Sequence, residues 1–170
     1  MVVCQYLVDK YQPNNLRLSI DEPEYGAYLN WLHHADATLT FPQTVALRYG
    51  LLEPGRAVAA GEDYAKWYLA RLRHLDHTLA DGREFLVGKK FTIADICVAY
   101  ALFLGRTVLF EGVPLANSYQ PQTAAYLDRM MARPAFQAAL LTQENSVGLI
   151  DKAYSKLILS VMQLRKRLFY

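Results

Sequence analysis

Few side chains in this 170-residue sequence stand at the spacings that chemistry demands. The histidines fall into two pairs. His33 and His34 are adjacent, so on a helix they point about 100° apart and cannot grip one metal ion together. His74 and His77 lie one turn apart and form a possible ligand pair, but no third or fourth ligand follows at the spacing of a His-Glu-x-x-His site. A solvated helix face is the expected role for both pairs, and no metal site is expected. Cys4 and Cys97 show neither metal nor redox spacing. Nothing beside Cys4 marks an activating base, and Cys97 sits in an apolar run, as a small core residue would. The sequence has no Gly-x-Ser-x-Gly elbow and no Gly-rich phosphate loop. No catalytic residue is assigned from these patterns.

The strongest local signal is structural. In Phe85-Leu86-Val87-Gly88-Lys89-Lys90-Phe91-Thr92-Ile93-Ala94-Asp95-Ile96-Cys97, Thr92 stands three residues before Asp95 and just ahead of an apolar run. That is the form of an N-terminal capping box. The Thr92 hydroxyl accepts from a free backbone N–H near Asp95, and the Asp95 carboxylate reaches back to the N–H of Thr92. The helix that follows, Ile93 to about Phe110, is apolar almost all round. Asp95 and Arg106 bracket it and Gly105 interrupts it, which argues for a central core helix of a soluble chain rather than a membrane span.

The other elements surround that helix. Met1 to Tyr11 is short and helical in pattern, with Val3, Tyr6, Leu7 and Val8 on or near one face. Gln12 to Pro23 reads as a linker, its regular structure broken by Pro13, Asn14, Asn15, Asp21 and Pro23. A long helix runs from Pro23 to about Leu52. Its core stripe is Tyr28, Leu32, Ala35 and Leu39, and its second face carries His33, Ala37, Thr40, Phe41 and Thr44. Pro42 should bend or divide it near Leu39 to Phe41, and the bend would open a cleft. Glu62 to Ala80 is the next helix, with Tyr68, Leu72, Leu75 and Leu79 inward and Gly82 in a left-handed cap. Joined by a short loop, these two helices should pack antiparallel. Gln122 to Ala132 follows, using Ala125, Tyr126, Leu127 and Met130, and Pro134 starts a further short helix through Leu141. Val147 to Tyr170 is an amphipathic helix with Lys152, Lys156, Arg165, Lys166 and Arg167 weighted to its end.

Composition bounds the possibilities further. The chain is 53% apolar, enough for a real core, and its net charge of +2 makes no case for nucleic acid. Met1-Val2-Val3-Cys4 lacks the basic lead of a signal peptide and soon meets Asp9 and Lys10. A cytoplasmic protein with reduced thiols is expected.

Phe-Leu-Val-Gly-Lys-Lys-Phe-Thr-Ile-Ala-Asp-Ile-Cys-Val-Ala-Tyr (residues 85–100) resembles the buried sixth helix of glutathione S-transferases and the loop before it, where a Ser/Thr-x-x-Asp box opens the core helix. Cys-Gln-Tyr-Leu-Val-Asp-Lys-Tyr at residues 4–11 resembles the end of the last helix of that family's thioredoxin-like domain. Residues 126–136 resemble its seventh and eighth helices. The resemblance covers roughly Met1 to Leu141 and implies an all-α, up-down helical bundle of the C-terminal domain type around the helix from about Thr92 to Phe110. It implies a remnant of a thioredoxin-like domain at 1–11, a linker at 12–22, the helical domain at 23–142 and a basic helical tail at 143–170. Thr92 and Asp95 are then its structural capping box, and His33, Thr40, Phe41 and Thr44 line the site for a small hydrophobic substrate. Glutathione is the implied co-substrate and conjugation to hydrophobic electrophiles the implied reaction. The acidic residue and serine that hold glutathione in the family precede the stretch at 4–11, so the chain alone is expected to be inactive. A homo-oligomer, or a thioredoxin-like domain as partner, is implied. The alternative reading is a non-catalytic helical module for protein interaction or dimerisation.

Overall fold

The computed structural model describes residues 1–11, 16–53, 55–87, 89–107, 109–110, 113–114 and 119–143. The expected helix at 147–170 and Gly88 of the capping segment lie outside them. The chain divides into two compact units, Met1–Met130 and Met131–Tyr170.

The first unit is a helical bundle. Its helices are α1 (Val2–Tyr11), α2 (Tyr25–His33), α3 (Phe41–Leu47), α4 (Val58–Leu79), α5 (Ile93–Thr107) and α6 (Pro121–Met131). Among the described residues the extended pairing is a two-residue antiparallel ladder, Leu109–Phe110 with Val113–Pro114, and an isolated bridge between Val87 and Lys90. In the second unit, residues 134–143 form a helix, α7. Pro134 opens it, where its missing N–H costs nothing, and Gln137 Nε2 donates to the Met131 carbonyl at 2.7 Å.

α5 packs against α2 and the turns that follow α2, and α3 packs along α4. The stripes read from periodicity meet here. Leu32, Leu39, Tyr68, Leu75, Val98, Leu102, Tyr126 and Leu127 are all 0% exposed. Burying each aliphatic side chain of this size contributes roughly 1.5–3 kcal/mol, so this layer holds the helices in register.

The helix from Pro23 to Leu52 is less regular than its sequence suggests. Wide π-helical turns occupy His34–Thr40 and Arg48–Leu52 on either side of α3. Pro42 lacks the N–H that a regular helix would donate to the carbonyl of residue 38, and its ring crowds that carbonyl. The widening precedes the proline, and the Phe41 N–H donates to the Asp36 carbonyl instead. Side chains take up freed carbonyls: Thr40 Oγ1 donates to Ala35 O at 2.8 Å and Gln43 Nε2 to Leu39 O at 3.0 Å.

Other boundaries differ as well. α4 begins at Val58, not Glu62, from Ala57 in a left-handed conformation (φ 61°) with no side-chain cap. Such a start carries no sequence signature. Gly82 has the expected left-handed conformation (φ +81°), and its N–H donates to Leu79 O at 3.1 Å. α5 stops at Thr107 rather than Phe110 and shows one edge outward, with Ile96 37% and Tyr100 58% exposed. Cys97 is half-buried rather than a full core residue, and Ala125 is not fully buried while Thr123 is. On α1 only Val8 is buried; Val3, Tyr6 and Leu7 face outward. A helix lying on a bundle buries a single stripe, and Val8 with Cys4 forms it.

Candidate functional site

Where the helix widens before Pro42, an open cleft of about 290 Å³ lies between it and α4. One wall is Ala37, Thr38, Phe41 and Pro42, and the other is Trp67 and Arg71. Trp67 and Arg71 are one turn apart on α4, and the Arg71 guanidinium sits over the Trp67 ring, 5.2 Å from its centroid. Tyr64 joins them, with its ring 5.2 Å from Trp67 and 6.0 Å from Phe41, edge-on to the latter.

Beside the cleft, three rings from α2, the wide turn and α4 stack together. Trp31, 4% exposed, lies flat on His74 at 5.1 Å. His34 meets Trp31 edge-on at 5.2 Å and His74 at 5.8 Å. His34 Nε2 is buried without a hydrogen-bond partner. Burial first, then His74 and Arg71, push the His34 pKa down to about 4, so the ring is neutral near neutral pH. The sequence pairs His74 with His77, but the fold pairs His74 with His34. This surface offers aromatic walls and one fixed cation. It suits a planar or apolar ligand, and none of the residues lining it is a nucleophile.

The four residues assigned to substrate binding lie along the bent helix, from the end of α2 to α3. His33, Phe41 and Thr44 are exposed and Thr40 is half-buried. Phe41, 49% exposed, is the member that also lines the cleft. The Thr40 hydroxyl donates to Ala35 O at 2.8 Å, and the Thr44 hydroxyl to Phe41 O at 2.7 Å, so each already has a backbone acceptor. His33 ends α2 and is not among the cleft's lining residues.

Thr92 and Asp95 are both 0% exposed. Asp95 Oδ2 accepts from the Thr92 N–H at 2.9 Å and from the Thr92 hydroxyl at 3.2 Å, and Thr92 Oγ1 accepts from the Ala94 N–H at 3.3 Å. Asp95 Oδ1 takes two further donors, the Leu86 N–H and the Tyr126 hydroxyl, both at 2.9 Å. The carboxylate therefore ties the start of α5 to the loop before it and to α6. Burial raises its pKa, while the donors of Leu86, Thr92 and Tyr126 pull it back down.

Sequence reasoning missed Trp67, Arg71 and Gln43, and it put His34 on a solvated face where the fold half-buries it against Trp31 and His74. The Trp67–Arg71 spacing was legible, but not the element it faces. Gln43 is 0% exposed and donates to Ala101 O on α5 at 2.9 Å, a bridge that nothing in a single polar residue announces.

Residues 65–134 match the family model described as glutathione S-transferase, C-terminal domain. The match covers most of α4 through α6 and stops short of residues 33–44. No curated protein matches the chain by sequence. Among solved structures, the glutathione transferase URE2P6 of Phanerochaete chrysosporium, in complex with oxidized glutathione, is 26% identical with a TM-score of 0.71, over 83% of this chain and 64% of that one. Ure2p5 of the same organism, cocrystallized with 1-(S-glutathionyl)-2,4-dinitrobenzene, is 22% identical with a TM-score of 0.73, over 86% and 68%. A glutathione transferase of Methylococcus capsulatus is 24% identical with a TM-score of 0.66, over 84% and 66%. The present chain thus spans about two thirds of the length of each. The family match on α4 to α6 and the bundle built around α5 agree: residues 65–134 match the glutathione S-transferase C-terminal domain, and the helical bundle is similar to that of the solved glutathione transferases.

Proposed function

We propose that this chain contributes the electrophile-side half of a glutathione transferase, whose reaction is attack of the glutathione thiolate on a hydrophobic electrophile. The observation that carries the reading is Phe41, half-exposed on the bent helix and turned into an aromatic-walled cleft; His33, Thr40 and Thr44 of the same helix are assigned to the site with it. In this role Phe41 is the apolar wall and the other three residues border it. In this reading residues 1–11 are the end of the last helix of a thioredoxin-like domain, 12–22 the linker and 23–142 the helical domain; the tail assigned to 143–170 lies almost wholly outside the described residues. Val2 (72% exposed), Val3 (69%), Tyr6 (55%) and Leu7 (45%) on α1 support this division, because an apolar helix face of this kind needs a cover. The cover is a thioredoxin-like domain or a second copy of the chain, in the cytoplasm.

The described residues do not by themselves fit glutathione, a tripeptide with two carboxylates, an ammonium and a thiol. The hydroxyls of Thr40, Thr44 and Tyr126 already serve internal acceptors, and those of Tyr68 and Tyr119 serve each other and Leu102 O. Arg71 is the cation among the residues lining the cleft. We therefore assign the thiolate-stabilising donor to the thioredoxin-like partner, and these 170 residues alone are inactive.

Calorimetric titration of glutathione into the purified chain tests this, alongside fluorescence titration with a dinitrobenzene as electrophile mimic. No heat with glutathione, and quenching of tryptophan by the mimic that weakens in Phe41→Ala, is the expected pair of results. Micromolar glutathione binding would overturn the division of labour, and quenching unchanged by Phe41→Ala would overturn the substrate site. The same exposed face of α1 favours a second reading, a non-catalytic helical module for protein association. A chain that binds neither probe yet self-associates supports that one.

A further inference from the structure

The cleft beside the wide turn carries a cation that the fold itself does not use. Arg17, Arg48, Arg56, Arg83 and Arg106 each face a carboxylate at 2.7–2.9 Å. Arg71, exposed on α4, has no such partner among the described residues, and no acceptor there takes its N–H groups. The positions one turn away on α4 are Trp67, Tyr68, His74 and Leu75, none of them acidic. Arg71 is nonetheless held in place, 5.2 Å over the Trp67 ring. A cation–π contact of this kind uses the charge and consumes none of the N–H donors.

A second donor lies across the cleft. Thr38 is half-buried on the wide turn. The hydroxyls of Thr40 and Thr44 are spent on the carbonyls of Ala35 and Phe41, whereas the Thr38 hydroxyl has no hydrogen-bond partner among the described residues. The rest of the lining is apolar or aromatic, and it includes no carboxylate.

We propose that this cleft selects planar aromatic anions, with the ring between Phe41 and Trp67 and its carboxylate or sulfonate on the Arg71 guanidinium and the Thr38 hydroxyl. The inference rests on the reading of the cleft as the electrophile site and adds a charge to it: the preferred ligand is an aromatic acid rather than a neutral hydrophobe. A guanidinium presents a fork of donors that matches a carboxylate in two places, and the anion finds no like charge in the lining to repel it. The cleft volume of about 290 Å³ lies at the low end for small-molecule sites, which suits one ring or two fused rings. Because Arg71 is exposed, water screens the pair, and the anion gains about fivefold in affinity over the same ring without its charge.

Tryptophan fluorescence reads this site, because Trp67 lines the cleft and Trp31, the chain's other tryptophan, lies beside it. The probes are 3,5-dinitrobenzoate and 1,3-dinitrobenzene, which share a ring and differ in charge, titrated into the full chain. At low salt the wild type should bind the benzoate about fivefold more tightly, and the lead should shrink at high salt. Arg71→Gln should bind the two probes alike while keeping its affinity for the neutral one. Arg71→Lys and Thr38→Val should each keep part of the preference. Arg73→Gln, whose native side chain donates to Ala70 O away from the lining, should keep all of it. Equal binding of both probes by the wild type, or a preference that survives Arg71→Gln, overturns the proposal and leaves the cleft as a site for neutral rings. Binding of neither probe, or binding of both unchanged by Phe41→Ala, overturns the cleft as the electrophile site and this inference with it.

Discussion

Replacing Asp95 by alanine removes more than a helix cap. Loss of a capping side chain alone costs about 0.5–2 kcal/mol. Here the carboxylate also holds the Leu86 N–H and the Tyr126 hydroxyl, each at 2.9 Å, in a site with no solvent exposure. Asp95→Ala leaves these two donors and the Thr92 N–H unpaired, at roughly 1–3 kcal/mol each. Against this, the variant no longer buries a carboxylate, and water entering the vacated space can serve some donors. The net expectation is a loss of about 3–5 kcal/mol, a large share of the stability of an ordinary domain. Urea unfolding followed by far-UV circular dichroism measures it. Tyr126→Phe, which removes one donor and leaves the box intact, should cost about 1–2 kcal/mol. Combined with Asp95→Ala it should show a coupling on the order of 1 kcal/mol. An Asp95→Ala midpoint shifted by less than about 1 kcal/mol, or strict additivity with Tyr126→Phe, would refute the view of this carboxylate as a junction between α5, α6 and the preceding loop.

Three further outcomes follow from the geometry. A methyl group added at Gly105 would land on the hydroxyls of Tyr68 and Tyr119, which share a 2.6 Å hydrogen bond. Gly105→Ala should therefore destabilise by about 1–3 kcal/mol despite its better helix propensity, and a stabilised variant in the same urea assay would contradict the packing. Because burial lowers the folded His34 pKa from 6.5 to about 4, the unfolded chain binds the extra proton more readily. The contribution of His34 is complete above pH 6.5 and is lost as pH falls toward 4. Thermal midpoints measured across that window should fall less steeply in His34→Gln than in the wild type, and parallel slopes would remove His34 as the cause. Finally, the outward face of α1 predicts self-association. Sedimentation velocity should show mass rising with concentration, and a Leu7→Lys substitution should reduce it; a clean monomer at high concentration contradicts this.

Fold class was legible because it rests on short-range rules. The stripe Tyr28, Leu32, Ala35 and Leu39 repeats at the helical period, as does Tyr68, Leu72, Leu75 and Leu79, and a helical residue's neighbours along one face are set by that period alone. The Thr92–Asp95 spacing likewise carries its own geometry, since a cap is made within one turn. Pro42 announced an irregularity, but which carbonyls would be freed and which side chains would take them depends on where the wide turn settles against α5. The partners of Asp95 beyond Thr92, namely Leu86 and Tyr126, arrive from a loop and a distant helix. The meeting of His34 with His74, and of Phe41 with Trp67 and Arg71 across the cleft, arises in the same way. Sequence by itself determined the helices, their inward stripes and the start of the central one, because those depend on neighbours a few residues away. Only the tertiary structure decided which side chains meet across helices, because that depends on how whole elements dock, and periodicity gives the face of a helix without naming what lies opposite it.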